Sequence, residues 1–452
     1  MAKALQVALA ALLLAGCATA PPQPSGQLSL ALFQADATPP IGHPLCGGWI
    51  KPIEAVDAPL LLKGVVFSDG RTRYVVAAID WCVLRTGAHD LLRGKMAHAA
   101  AVLPSQVTVH CTHTHSAPIA DVRAQQLLDA TPGAPPHLDL GFMASLADRA
   151  AGALTAALPQ LRRFTHVGTG KAKVEEYASN RRVQGPDGKI LVRYSACKDP
   201  KLREAPEGLI DPWLRTVSFY DDDLPLVRLH YYATHPQSFY GDGRAHPDVP
   251  GHAREYLQEE EGVPQIYFTG CAGNVTAGKY NDGTPAARTK LGRQLYTGMI
   301  RSIAGTKRTA VSELSWKSLD VRLPVRGTPD FSEEALAKVI ADPAAGQKRL
   351  HAALALAWIE RLKLRPTVDV SRLRVGPVDL LHLPGEAFVE FQLQAQSVRP
   401  DRFVATASYG EGGPGYICVD KAFAEGGYEP TASYVSPPSE TLLKAAIEEA
   451  LK

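Results

Sequence analysis

Seven short runs rich in β-branched and aromatic residues punctuate the chain: GVVF (64–67), YVVAAID (74–80), VTVHCT (107–112), RTVSFYD (215–221), LVRLHYYAT (226–234), QIYFTG (265–270) and VDLLHLP (378–384). Their composition predicts strands. Between and beyond them, the stretches 140–158, 286–304, 332–341, 346–363 and 438–451 carry apolar residues every three or four positions, which predicts helices. Strands interleaved with helices confine the chain to an α/β architecture, with mixed β-sheets flanked by α-helices and a site at the C-terminal ends of the strands. With 45% hydrophobic and 21% charged residues, a core is easily buried. No linker rich in Pro, Gly or Ser divides residues 30–452, which read as a single catalytic domain.

The charge balance removes one class of partner. Lys+Arg 48 against Asp+Glu 46 leaves a formal net charge of +2, so the broad positive field that nucleic acid requires is missing. The N-terminus, MAKALQVALAALLLAGCATAPPQPSG, has a basic Lys3 and then an apolar run too short to span a bilayer comfortably. The run ends in Leu14-Ala15-Gly16-Cys17, which resembles a bacterial lipobox. Residues 1–17 are therefore expected to be a lipoprotein-type signal peptide with Cys17 as the lipidated residue, and residues 18–29 a flexible tether. The expectation is a lipid-anchored protein of the bacterial cell envelope, periplasmic or outer-membrane, touching the membrane through that anchor. Cys46, Cys82, Cys111, Cys197, Cys271 and Cys418 are widely spaced in mostly apolar surroundings and are expected to be buried free thiols.

The segment VHCTHTHSAP (109–118) places three histidines in six positions. On a strand that stays extended, His113 and His115 share a face and His110 points the other way. Two imidazoles at a strand end suit a divalent metal, or else form a hydrogen-bonded pair. His235 repeats the context at the end of LVRLHYYAT, just before Pro236, and Glu386 follows VDLLHLP after a Pro-Gly turn. Alone, Glu386 reads as a solvated turn residue or a helix N-terminal charge. Together, two histidines and a glutamate form a set that catalytic zinc uses while keeping a position for water.

The ordered segments DATPPIG (36–42), AID (78–80), THTHSAP (112–118), ASNR (178–181), ATHP (233–236), DVPG (248–251), GCAGNV (270–275), LPGE (383–386), GYI (415–417) and GGYE (426–429) resemble the catalytic domain of the neutral/alkaline ceramidases, from about residue 30 onward. The resemblance implies zinc held by His113, His235, Glu386 and Tyr416. It implies that His115 stands beside the metal and hydrogen-bonds the reacting carbonyl or leaving group, and that Arg181 holds a substrate oxygen. A histidine titrating near neutral pH would suit proton delivery to the departing nitrogen. His246 and Asp248 read as groups behind the ligands or as a structural Pro-Gly turn with a capping Asp.

The pattern also departs from that family. Thr276 stands where ceramidases have a serine hydroxyl, and the chain ends soon after GGYE, without the C-terminal β domain of the larger relatives. The expected function is a zinc-dependent hydrolase cleaving the amide of an N-acyl lipid such as ceramide, with His115, Arg181 and Thr276 as its catalytic groups. A zinc hydrolase of another amide or ester, and a cell-surface metal-containing binding lipoprotein without turnover, are the alternatives. A Ser-His-Asp hydrolase is disfavoured because no GxSxG elbow occurs.

Overall fold

The computed structural model describes residues 26–452. The segment expected to be a signal peptide, its Cys17 and residues 18–25 of the tether lie outside the described residues. Each expected strand forms, as Leu61–Ser68, Arg73–Ile79, Val107–Cys111, Trp213–Asp221, Leu224–Tyr232, Gln265–Thr269 and Val378–Pro384. The expected helices form as Leu140–Ala157, Pro285–Ala304, Glu333–Ala341, Lys348–Leu364 and Ser439–Leu451. No described helix is long and apolar enough to cross a membrane.

A nine-stranded mixed sheet runs in spatial order Leu314–Val321, Val368–Val375, Val378–Pro384, Phe403–Gly410, Val107–Cys111, Arg73–Ile79, Leu61–Ser68, Ser29–Asp36 and Arg162–Arg163. A five-stranded sheet runs Gln265–Thr269, Leu224–Tyr232, Trp213–Asp221, His166–Lys173 and Lys307–Ala310. The two lie face to face. Val65, Phe67, Val76 and Ala78 of the large sheet pack on Val217, Phe219, Leu229 and Phe268 of the small one. The intervening Val66, Val75 and Ala77 point the opposite way, toward the helices Thr86–Ala100 and Leu140–Ala157. A strand covered on both faces has no polar side to show, which is why GVVF and YVVAAID are unbroken apolar runs. Helices Asp248–Glu261 and Pro285–Ala304 pack on the small sheet, completing helix, sheet, sheet and helix layers.

Polar groups inside this sandwich are chained together. Ser302 donates to Thr216 at 2.8 Å, Thr216 to His230 Nδ1 at 2.9 Å, and His230 Nε2 to Gln265 at 2.7 Å. Gln265 in turn donates to Glu261 at 2.9 Å. Helix, strand, strand, strand and helix are thereby joined by one line of hydrogen bonds, and His230 is used as a neutral tautomer. The six described cysteines are free and buried, as their surroundings suggested.

Burial pushes His230 and His110 down to about 4 and His137 down to about 3. An unfolded chain binds protons at these imidazoles below about pH 6.5 while the folded chain refuses them, so stability rises with pH across that window. Stability is expected to fall as pH is lowered from about 6.5 to 4, by up to ~1.4 kcal/mol per pH unit for each such histidine, and the melting temperature with it. Scanning calorimetry over this range checks it, and His230→Gln is expected to flatten the slope.

Candidate metal centre

The strand Val107–Cys111 stops before the histidines, so the extended alternation expected for His113 and His115 does not operate. His113 instead has φ of 66°, in the left-handed region, and turns the chain out of the sheet. The turn is held on every side. Thr112 N–H bonds Ile79 O at 2.8 Å and His113 N–H bonds Trp81 O at 3.0 Å. Thr114 Oγ1 donates to Asp80 O at 3.0 Å, and Thr269 Oγ1 to Thr112 O at 2.7 Å. The Asp80 carboxylate is gripped by both Arg254 Nη atoms at 2.8 and 2.6 Å, with both residues fully buried. His113 and His115 still end as neighbours, their rings T-shaped with centroids 4.8 Å apart. His110 faces elsewhere and bonds Ser408 O through Nδ1 at 2.7 Å.

His235 and Glu386 follow the C-terminal ends of Leu224–Tyr232 and Val378–Pro384. The His235 N–H bonds Val275 O at 2.9 Å. Glu386 and Tyr416 are direct partners in a short parallel ladder, which places carboxylate and phenol side by side. Gly273 lets the 270–275 loop close over them, because a Cβ there would collide with the Glu386 carbonyl oxygen.

Glu386 Oε2 lies 3.4 Å from His113 Nε2 and 3.5 Å from His235 Nε2. Tyr416 Oη lies 3.4 Å from His235 Nε2. Ligands about 2.1 Å from a tetrahedral ion stand roughly 3.4 Å from each other, so these separations fit zinc. His113 Nε2 and Glu386 Oε2 are buried with no hydrogen-bond partner. Orphaned buried polar atoms are costly, and a shared cation would satisfy both. His113, His235 and Glu386 therefore fit a metal.

The imidazoles are set for ligation. His113 Nδ1 donates to Cys82 O at 2.8 Å and His235 Nδ1 to Ala272 O at 2.7 Å, which leaves each Nε2 lone pair for a metal. Burial pushes His113 down to about 3 and His235 down to about 4, so both are neutral at pH 7. Burial alone would raise the Glu386 carboxyl, but His113, His235 and Arg85 hold it well below the usual carboxylate range. Burial pushes the Tyr416 phenol up.

The remaining expected residues divide. Arg181 stands behind Tyr416: its Nη2 donates to the phenol oxygen at 2.8 Å and to Gly273 O, while Nε lies 3.1 Å from Glu429 in an ion pair without hydrogen-bond alignment. His115 lines the cavity above the ligands, with Nδ1 donating to His113 O at 3.1 Å. Burial and then His113 push it down to about 3, not near neutrality as expected. Thr276 does not line the cavity; its hydroxyl is buried and accepts the Gly278 N–H at 3.2 Å. Asp248 does not cap a Pro-Gly turn. It opens the helix Asp248–Glu261, where Pro250 sits in the first turn and lacks only an N–H that the helix leaves free. His246 Nδ1 accepts the Asp248 N–H at 3.1 Å, and its own N–H reaches Ser116 O.

Sequence reasoning missed Tyr409, whose ring stacks on His113 at 4.2 Å and whose hydroxyl lies 3.2 Å from His235 Nδ1. It also missed Cys46 and Cys82, which with His115 bring three potential ligand atoms within 4.8 Å of one another. Tyr409 closes a segment, FVATASYG, with no motif of its own, and the two thiols are separated by 35 positions of unremarkable chain.

The site opens into a cavity of about 480 Å³. One wall is apolar, with Ile119, Phe331, Leu336, Val339 and Leu354; His113, His115, Glu386 and Tyr416 form the floor.

No family model matches the chain, and no curated protein matches it. Among solved structures it is similar to neutral ceramidase from Pseudomonas aeruginosa, with TM-score 0.71 and 16% identity over 94% of this chain and 74% of that one. It is also similar to a ceramidase complexed with C2, with TM-score 0.68 and 15% identity over 94% of this chain and 75% of that one. The fold is that of the ceramidases.

Two variants test the centre. His113→Ala is expected to lower divalent-metal retention by about 100-fold or more, measured by metal analysis after dialysis. Asp80→Ala strips both buried Arg254 Nη atoms of their carboxylate, leaving only the part-exposed Glu255 on Nε, and is expected to cost roughly 3 kcal/mol of stability in denaturant titration.

Proposed function

We propose that the chain is a zinc-dependent hydrolase that cleaves the amide bond of an N-acyl lipid such as ceramide. The observation that carries this reading is the convergence of His113 Nε2, His235 Nε2 and Glu386 Oε2, at 3.4 and 3.5 Å, with His113 and Glu386 lining a cavity that has an apolar wall. Likeness in fold to two ceramidases supports the amide. The apolar wall supports a lipid chain rather than a small polar amide. At about 30 Å³ per water-sized group, a cavity of this size takes roughly sixteen such groups, enough for a single acyl chain.

Zinc held by His113, His235, Glu386 and Tyr416 would supply Lewis acidity, polarising the carbonyl and lowering the pKa of water toward neutrality. The residues do the rest. Arg181 favours the anionic form of Tyr416 by donating to its oxygen, and Glu429 keeps that guanidinium in place. His115 starts neutral, with Nδ1–H committed to the His113 carbonyl and Nε2 free to accept. It takes the proton lost as water oxygen bonds the carbonyl carbon, then gives it to the nitrogen as the C–N bond breaks. A carboxylic acid and an amine leave, and transfer of the acid's proton to the amine makes them carboxylate and ammonium. The apolar wall holds the acyl chain in register with the floor. The lipobox-type segment supports an envelope lipoprotein anchored through Cys17.

The test is release of fatty acid from a fluorescent short-chain ceramide by the purified full chain, before and after chelation. Turnover should vanish with chelator and return with zinc; a zinc-replete protein that releases fatty acid neither from ceramide nor from any other N-acyl amide sinks the reading. His115→Ala is expected to keep zinc but lose about 10²-fold or more in kcat. Loss of the metal along with the activity would instead make His115 structural.

A further inference from the structure

Ten arginines are buried, and nine of them have an ion pair or a side-chain hydrogen bond within the described residues. Arg254 has Asp80, Arg93 has Asp369 and Glu411, and Arg193 and Arg349 are ringed by backbone carbonyls. Arg85 is the exception. It is 8% exposed, lines the cavity and stacks its guanidinium over Tyr434 at 4.8 Å, while its Nε is buried without a partner. No carboxylate of the described residues lies within ion-pair distance of it. Asp121 and Glu386 act on it only through space, and the Oε2 of Glu386 stands between His113 and His235. A buried guanidinium without a counter-ion costs several kcal/mol, and its planar fork matches a carboxylate.

We propose that Arg85 is the seat for a carboxylate on the amine portion of the substrate, so that the hydrolase acts on N-acyl amino acids in preference to neutral N-acyl lipids. The inference rests on the hydrolase reading for the bond that is cut, and on Arg85 alone for the charge. Arg85 and the ligand Glu386 line the same cavity, so the anion it takes shares the space in which the scissile carbonyl sits. The acyl chain then lies along the apolar wall with Leu336 and Val339. Lys348, at the cavity rim and without an ion pair among the described residues, adds positive charge on the approach. Hydrolysis breaks the C–N bond between acyl group and amino acid; water supplies oxygen to the acyl carbon and a proton to the nitrogen.

The discriminating pair is N-octanoylglycine and its neutral isostere N-octanoylglycinamide, which differ only in the anion. Calorimetric titration of the zinc-loaded full chain is expected to give about tenfold or greater preference for the carboxylate. Arg85→Gln should bring the two ligands within about threefold, and Arg85→Lys should leave an intermediate ratio. Metal analysis and a melting curve on each variant separate a lost anion seat from a collapsed site. Equal affinities in the wild type, which needs no variant to fold, overturn the proposal, as does a preference that survives Arg85→Gln. Turnover distinguishes the two readings: a chain that cleaves ceramide but not the glycine conjugate keeps the hydrolase and loses the Arg85 inference. A chain that binds the carboxylate selectively but cleaves nothing keeps the anion seat and loses the hydrolase.

Discussion

The buried pair of Asp80 and Arg254 is the constraint on which the centre rests. Asp80 directly follows the strand Arg73–Ile79, and its carboxylate meets the guanidinium through two hydrogen bonds with both side chains fully buried. The same carboxylate accepts the Leu61 N–H, and the Asp80 carbonyl accepts the Thr114 hydroxyl. Two sheet strands, the helix Asp248–Glu261 and the histidine turn thus meet at one residue. An ion pair of this kind contributes little net stability, because desolvation offsets much of the attraction; it contributes geometry, because any arrangement that separates the partners strands a charge.

The charges around the ligands follow the same logic. Glu429 lies between Arg181 and Arg182, so the cation behind Tyr416 is fixed by a carboxylate that takes no part in ligation. His113 and His235 are neutral, and Glu386 is the one anion among the three convergent groups. Two neutral nitrogens and one carboxylate suit an ion that must remain a Lewis acid, since added thiolates or carboxylates would quench its charge.

Much of this was legible in the chain. The strands were, because burial on both faces leaves runs such as YVVAAID without polar interruption. The helices Thr86–Ala100 and Asp248–Glu261 were not, because their inward faces carry Arg93 and Arg254, whose partners lie 276 and 174 positions away. Pro250 also looked like a turn where it begins a helix. At the site, His113, His235 and Glu386 could be read from their places after strand ends, but the alternation invoked for His113 and His115 was replaced by a left-handed turn. Tyr416 came from resemblance, since its pairing with Glu386 depends on a two-residue ladder too short to leave a pattern. Arg85 could not be read at all: what marks it is a missing partner, a property of packing.

The convergent groups are spread along the chain at 113, 235, 386 and 416, and the last enters through the short ladder beside Glu386. A polypeptide emerging from the ribosome presents His113 roughly 300 residues before Tyr416. A cation gripped by all four groups would therefore be held at full strength only after these distant segments have all emerged, as a late seal on a formed body rather than as a seed around which the body grows.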